Sequence, residues 1–151
     1  MITTPSIVER LLALPAIPLR ELPKIGTVIY FLRAANGLTK VGHSHRLRDR
    51  ISAYRGSSPV PLDIIAFAEG NRAVELAIHH VVAAERAHCE WFHPSERFLQ
   101  LIAVVKSRRW VRFLDRFPYV PRFTYEREQF EVELATMLEQ TPRSRDRVVA
   151  A

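Results

Sequence analysis

The dipeptide Asn36-Gly37 restricts what this chain can fold into more than any other feature, because of what flanks it. Residues 28–32 before it are β-branched or aromatic, apart from one leucine, and residues 38–43 after it are short enough to be a returning strand. Two-residue primed turns favour Asn-Gly, since both central positions need positive φ. The pattern predicts an antiparallel hairpin. Ser44 is a candidate cap for the helix that follows, which carries Arg46, Arg48 and Arg50. Two strands and a cation-rich helix then meet around Gly42, so that Tyr30, Lys40 and Arg50 can all face one phosphate.

Gly56-Ser57-Ser58-Pro59 reads as a loop, and residues 60–68 are apolar enough for a third strand. The expected class is α/β, or α+β: a small three-stranded antiparallel sheet flanked by helices, with a helical C-terminal extension. Residues 72–88 form the clearest helical pattern. Val74, Ile78, Val81 and Val82 make its apolar stripe, and Glu75, His79 and Arg86 share another flank. Ser95 can cap a further helix with Phe98, Leu101, Ile102 and Val105 inward. Residues 106–117 set Trp110, Phe113, Leu114 and Phe117 inward and Arg108, Arg109, Arg112 and Arg116 outward.

Pro118 and Pro121 interrupt this pattern. It resumes over residues 124–140 with Phe130, Leu134, Met137 and Leu138 inside and Glu126, Glu128, Glu131, Glu133 and Glu139 outside. Near the start, residues 6–14 suit a short amphipathic helix, and Pro15, Pro18 and Pro23 force an extended connector that packs across the sheet. The expected organisation is a helix and connector over 1–25, a compact domain over 26–102, a packed helical extension over 103–140 and a flexible tail over 141–151.

At 151 residues with 48% hydrophobic content, one domain with a real core is the economical reading. The lone cysteine, Cys89, excludes an internal disulfide and points to a reducing compartment. No apolar run is long enough to span a bilayer, and residues 1–22 lack the pattern of a signal peptide, so the expected location is cytoplasmic. A net charge of +6 and a pI near 10.1 favour a polyanionic partner. His88, Cys89 and His93 lie close together, but their spacing matches no paired zinc-ligand pattern.

Val28-Ile29-Tyr30, Lys40-Val41-Gly42, Arg50 and the later Glu75 together resemble the GIY-YIG nuclease superfamily, more narrowly its phage-associated branch with a Lys-Ile-Gly second motif. The run from Glu75 to His79, then Arg86, then Glu90-Trp91-Phe92 adds to the resemblance, which covers residues 26–102. Val28 stands where the family has its first glycine, and Lys40 where it has the tyrosine of the second motif. The resemblance implies an endonuclease that hydrolyses DNA phosphodiester bonds with one divalent metal, and places Tyr30 where the family's proposed tyrosine base lies.

Phosphodiester hydrolysis needs an in-line nucleophile, neutralisation of the phosphoryl oxygens and help for the departing oxygen. Glu75 is the candidate ligand for Mg²⁺ or Mn²⁺, because a hard carboxylate suits an ion that keeps most of its waters. Arg50 is the phosphate clamp, its planar fork matching two phosphoryl oxygens. Tyr30 is the candidate base, provided a neighbouring cation lowers its pKa, and Lys40 is that cation or a phosphate contact itself. His43 is a candidate proton shuttle, and His79, one turn after Glu75, a donor to a metal-bound water or to the leaving oxygen.

Gly42 would let metal or phosphate approach closely. Tyr54, four residues beyond Arg50 on the same helix flank, is placed to line the site but reads first as core packing with Leu47 and Ile51, while Trp91 and Phe92 close the core. Arg46, Arg48, Arg108, Arg109 and Arg112 are candidate nucleic-acid contacts beside Lys40, and the expected partner is DNA, single strands included. Two other readings stay open. One is a binding module that keeps the fold without catalysis; the other is an interaction protein whose C-terminal helices form a homodimer.

Overall fold

The computed structural model describes residues 3–117 and 124–140, with the side chains of Thr124 and Tyr125 left out of the description. Its frame is a five-stranded sheet in the order β3-β1-β2-β5-β4, in which every neighbouring pair is antiparallel. The strands are β1 (Val28–Ala34), β2 (Thr39–Ser44), β3 (Leu62–Glu69), β4 (Arg86–His88) and β5 (Trp91–Phe92). The helices are α1 (Ile7–Leu12), α2 (Leu47–Ser57), α3 (Arg72–Val81), α4 (Glu96–Val105), α5 (Arg108–Asp115) and α6 (Thr124–Gln140). The class is α+β.

β1 lies second in the sheet and is covered on both faces, which explains why Val28 to Arg33 are all buried. Alternation along the strand divides the core in two. Val28, Tyr30 and Leu32 face α2 and pack with Leu47, Ile51, Leu62 and Ile64. Ile29 and Phe31 face the other way and pack with Val41, residues of α3 to α6, and Leu11 of α1. The expected helical extension is therefore continuous with the main core: Phe130, Leu134 and Leu138 of α6 join the same apolar cluster as Val74 and Phe98. On the α6 surface, Glu131 meets His80 at 2.7 Å and Glu133 pairs with Arg116, so part of its acidic face is neutralised within the chain.

Three sequence expectations need correction. The first concerns the hairpin, which forms but without a two-residue primed turn. Gly37 alone has positive φ there, at 91°, while the Gly37 amide donates to the Ala34 carbonyl at 3.0 Å and the Ala34 amide to the Leu38 carbonyl at 2.8 Å. This bonding suits a longer loop in which one left-handed residue realigns the strands, so only the glycine of the pair needs its conformational freedom.

The second correction is at the start of α2. Ser44 ends β2, and its Oγ accepts from the Arg46 amide at 3.1 Å; Arg46 itself occupies the cap position. The third is at the end of α3. The helix stops at Val81, a 3-10 turn follows over Ala83–Glu85, and β4 and β5 form a hairpin that extends the sheet beyond the expected three strands. Strands of three and two residues are too short for alternation to register as a pattern. By contrast, Ser95 caps α4 as expected, accepting from the Phe98 amide at 3.0 Å.

The N-terminal segment is fastened to this frame by arginines. Arg33 reaches from β1 to the end of α1, where its Nη1 donates to the carbonyls of Leu11 (2.9 Å), Leu12 (3.2 Å) and Leu14 (2.6 Å). These include orphan carbonyls of the last helical turn, which have no partner inside a helix. Among the described residues no helix is long and apolar enough to cross a membrane. Pro118, Pro121 and the expected tail over 141–151 lie outside the described residues. Arg33→Met is expected to destabilise the fold by about 2–3 kcal/mol, because it leaves buried carbonyls without a donor. Urea unfolding of both proteins checks the magnitude, and faster amide exchange confined to α1 checks the location.

Candidate active site

The site grows out of one close approach. Tyr30 on β1 pairs directly with Gly42 on β2, and both point toward α2. A Cβ placed on Gly42 would lie 2.6 Å from Cζ and 2.6 Å from Oη of Tyr30, closer than real side chains approach. Gly42 is therefore the floor on which the Tyr30 ring rests. Its missing side chain admits that phenol, which corrects the expectation that it leaves room for metal or phosphate.

Four groups converge above this floor. The Lys40 ammonium donates to Tyr54 Oη at 2.8 Å and lies 4.8 Å from the centre of the Tyr54 ring. Arg50 and Tyr30 also stand close enough to Tyr54 to shift its ionisation, so this hydroxyl is the hub of the cluster. Lys40 has a second partner in the Glu90 carboxylate at 3.2 Å. α2 makes the arrangement: Arg50 and Tyr54 are one turn apart on its sheet-facing flank, while Leu47 and Ile51 anchor it in the core. Tyr54 is thus only partly a packing residue.

The two phenols are driven in opposite directions. Burial pushes Tyr30 well above the ordinary tyrosine value, and its hydrogen bond to Tyr54 adds to the rise. At Tyr54 burial also works upward, but the hydrogen bonds from Lys40, Tyr30 and Arg50 outweigh it and hold the phenol below its usual value. Arg50 is held charged first by its bond to Tyr54. For Lys40, burial works to lower the pKa, and the bonds to Tyr54 and Glu90 more than offset it. The condition placed on Tyr30 as a base, a pKa lowered by a nearby cation, is met instead by Tyr54. The signal in the sequence was the i, i+4 spacing of Arg50 and Tyr54.

The remaining candidates sit across the sheet. His43 follows Gly42 and so points to the opposite face, where its Nδ1 meets Oε2 of Glu75 on α3. Glu75 is buried, and its Oε1 stands 3.7 Å from His79 Nε2, beyond hydrogen-bond length. That nitrogen donates instead to the Val41 carbonyl at 2.8 Å, and the His79 ring packs against Phe92 at 5.2 Å. His79 is buried and tied to β2, a different place from the expected one beside a leaving oxygen. A cleft of about 520 Å³ lies at the end of β2, lined by His43, His45, Arg46, Asp49 and Arg50 among others.

The expected nucleic-acid contacts divide. Arg46 lines the cleft and is exposed, and Arg108, Arg109 and Arg112 are exposed on α5. Arg48 departs from the expectation: its guanidinium donates to the carbonyls of Arg20 (2.7 Å) and Leu22 (2.8 Å), which commits it to holding the N-terminal connector. Among the described residues no group of three His, Cys, Asp or Glu side chains is placed to hold a metal ion. A single divalent ion on the Glu75 carboxylate is compatible with the donors present, because Mg²⁺ needs few protein ligands and keeps its waters.

Residues 27–117 match the T5orf172 domain family. No curated protein and no solved structure matches the chain. The cluster predicts that one tyrosine titrates below the ordinary value. Following phenolate absorbance against pH, that step should move upward in Lys40→Met and vanish in Tyr54→Phe; persistence in Tyr54→Phe would assign it elsewhere. Gly42→Ala is expected to cost about 1–3 kcal/mol by overpacking against Tyr30, measured by chemical denaturation.

Proposed function

Since the chain belongs to the T5orf172 domain family, a phage-associated domain found in nuclease contexts, we propose that it is a metal-dependent endonuclease of GIY-YIG type that hydrolyses DNA phosphodiester bonds. The observation that carries this reading is the convergence on one cleft of a phosphate-binding fork, Arg50, and a histidine paired to a buried carboxylate, His43 with Glu75. Beside Arg50 stands Tyr54, a phenol with a lowered pKa. These supply the distinct needs of phosphoryl transfer to water.

Arg50 is exposed at the cleft wall and presents N–H donors to the phosphoryl oxygens, where charge grows in the transition state. Tyr54 accepts a proton from the attacking water. Its readiness to do so comes from Lys40 and Arg50, which stabilise the phenolate, and from the neighbouring Tyr30, which stays protonated. Lys40 then takes the place the resemblance gives to a second tyrosine, acting by charge rather than by proton transfer.

Glu75 would hold Mg²⁺ or Mn²⁺, an ion that supplies charge neutralisation on the phosphate and the departing oxygen. His43 orients the Glu75 carboxylate from the cleft side, and His79 backs it from the core side while fixed to the Val41 carbonyl. The exposed arginines of α5, with Arg46 at the cleft, extend the cationic surface along which a DNA backbone can lie.

The test is cleavage of labelled single-stranded and double-stranded DNA with Mg²⁺, Mn²⁺ or EDTA. Wild type is expected to give metal-dependent products, and Arg50→Ala and Glu75→Ala to lose at least about 100-fold in rate, as removal of a group that neutralises transition-state charge does. Undiminished cleavage by Glu75→Ala would remove the metal assignment. Salt-sensitive DNA retention with no products from any variant would make the protein a binding module instead. Neutralising Arg108, Arg109 and Arg112 together should weaken DNA binding and flatten its salt dependence by up to about three units of slope; an unchanged slope places α5 outside the interface.

A further inference from the structure

Lys40 pairs with a second group, the Glu90 carboxylate, that takes no part in the proposed chemistry. Glu90 sits at the tip of the β4–β5 hairpin, and three observations set it apart from an ordinary surface glutamate. Its backbone is fixed, since the Glu90 carbonyl accepts from the Val41 amide at 3.1 Å. The residue before it, Cys89, has φ of 52°, and no other non-glycine residue among those described has positive φ. Such a conformation persists only where surrounding contacts hold it, and it clusters at working sites. Third, the carboxylate lies 3.2 Å from the ammonium that touches Tyr54, with the Glu90 side chain 46% exposed and that of Lys40 16% exposed. The anion is the outer, looser member of the pair.

We propose that Glu90 is a specificity-determining residue: its carboxylate holds the Lys40 ammonium in the free protein and must be displaced by the substrate's phosphate. The proposal rests on the reading of this cleft as a nucleic-acid site. Space and charge support displacement over a shared arrangement. Two cations, Lys40 and Arg50, serve the Tyr54 hydroxyl. A phosphodiester that reaches Lys40 must take the place on the ammonium that the Glu90 carboxylate occupies at 3.2 Å. A retained Glu90 carboxylate would stand as a like charge directly beside the phosphate.

The geometry makes departure easy. Rotation about the Glu90 side chain carries the carboxylate into solvent without moving the hairpin, whose backbone stays paired to β2. An exposed ion pair of this kind is worth roughly fivefold or less in equilibrium terms, so a tightly held phosphate overcomes it and a weakly held polyanion does not. Glu90 thus raises the threshold that any phosphate must pass before it meets Lys40.

The experiment is binding of a fluorescently labelled single-stranded oligonucleotide to the full chain in EDTA, where nothing is cleaved, by anisotropy. Wild type is compared with Glu90→Gln, Lys40→Met and the double variant, and Lys40→Gln is run as a second uncharged form in case methionine disturbs the fold. Glu90→Gln is expected to bind about two- to fivefold more tightly than wild type. That gain should disappear without the lysine, leaving Lys40→Met and the double variant within about twofold of each other. Equal or weaker binding by Glu90→Gln overturns the displacement while leaving the nucleic-acid reading intact. An equal gain in both backgrounds also overturns it, since the carboxylate would then act only as bulk negative charge. Failure of wild type and Glu90→Gln alike to bind would remove both.

Discussion

The contact between Tyr30 and Gly42 governs the rest of the site. A central strand covered on both faces normally carries only apolar side chains inward, yet β1 places a phenol there, 1% exposed. It fits because the residue opposite has no side chain, and a Cβ at that position would collide with the ring. Once the phenol is fixed, its hydroxyl lies beside Tyr54 and Arg50, and the Tyr54 hydroxyl in turn accepts from Lys40. The order of assembly runs from a steric condition on the sheet to an electrostatic condition on the helix above it.

Strand alternation then divides the chemistry. Gly42 and His43 are neighbours in sequence but face opposite sides of the sheet, so the cationic and phenolic groups gather under α2 while the carboxylate and imidazoles gather under α3. His43 from one side and Arg50 from the other line a cleft at the end of β2. Glu75 pairs with the His43 imidazole, and Lys40 takes its carboxylate partner from elsewhere. Glu90 is the carboxylate that does reach Lys40, and it does so from an exposed hairpin tip rather than from the core.

The arginines, which give the chain much of its positive charge, are not a uniform surface. Arg33 and Arg48 direct their donors at backbone carbonyls and act as tethers for the N-terminal segment, with Arg33 buried. A guanidinium suits this use because its several fixed donors can satisfy more than one carbonyl at once. Arg46 and Arg50 line the cleft, and the arginines of α5 are exposed. Net charge alone therefore overstates the cationic surface offered to a polyanion.

Local chemistry determined much of this protein from the sequence. Asn36-Gly37 between two strand-like runs announced the hairpin, the cap at Ser95 announced α4, and the 3.6-residue periodicity announced the buried faces of α4, α5 and α6. The hairpin and the helix after it already grouped Tyr30, Lys40 and Arg50 in the sequence, while Glu75 entered through the family resemblance. Tertiary structure alone decided the short β4–β5 hairpin, too brief to show a period, and the fate of each arginine, since a side chain's partner lies far along the chain. It also decided which phenol is poised to ionise. Burial and hydrogen bonding set a pKa, and both come from residues that β1, β2 and α2 bring together only when folded.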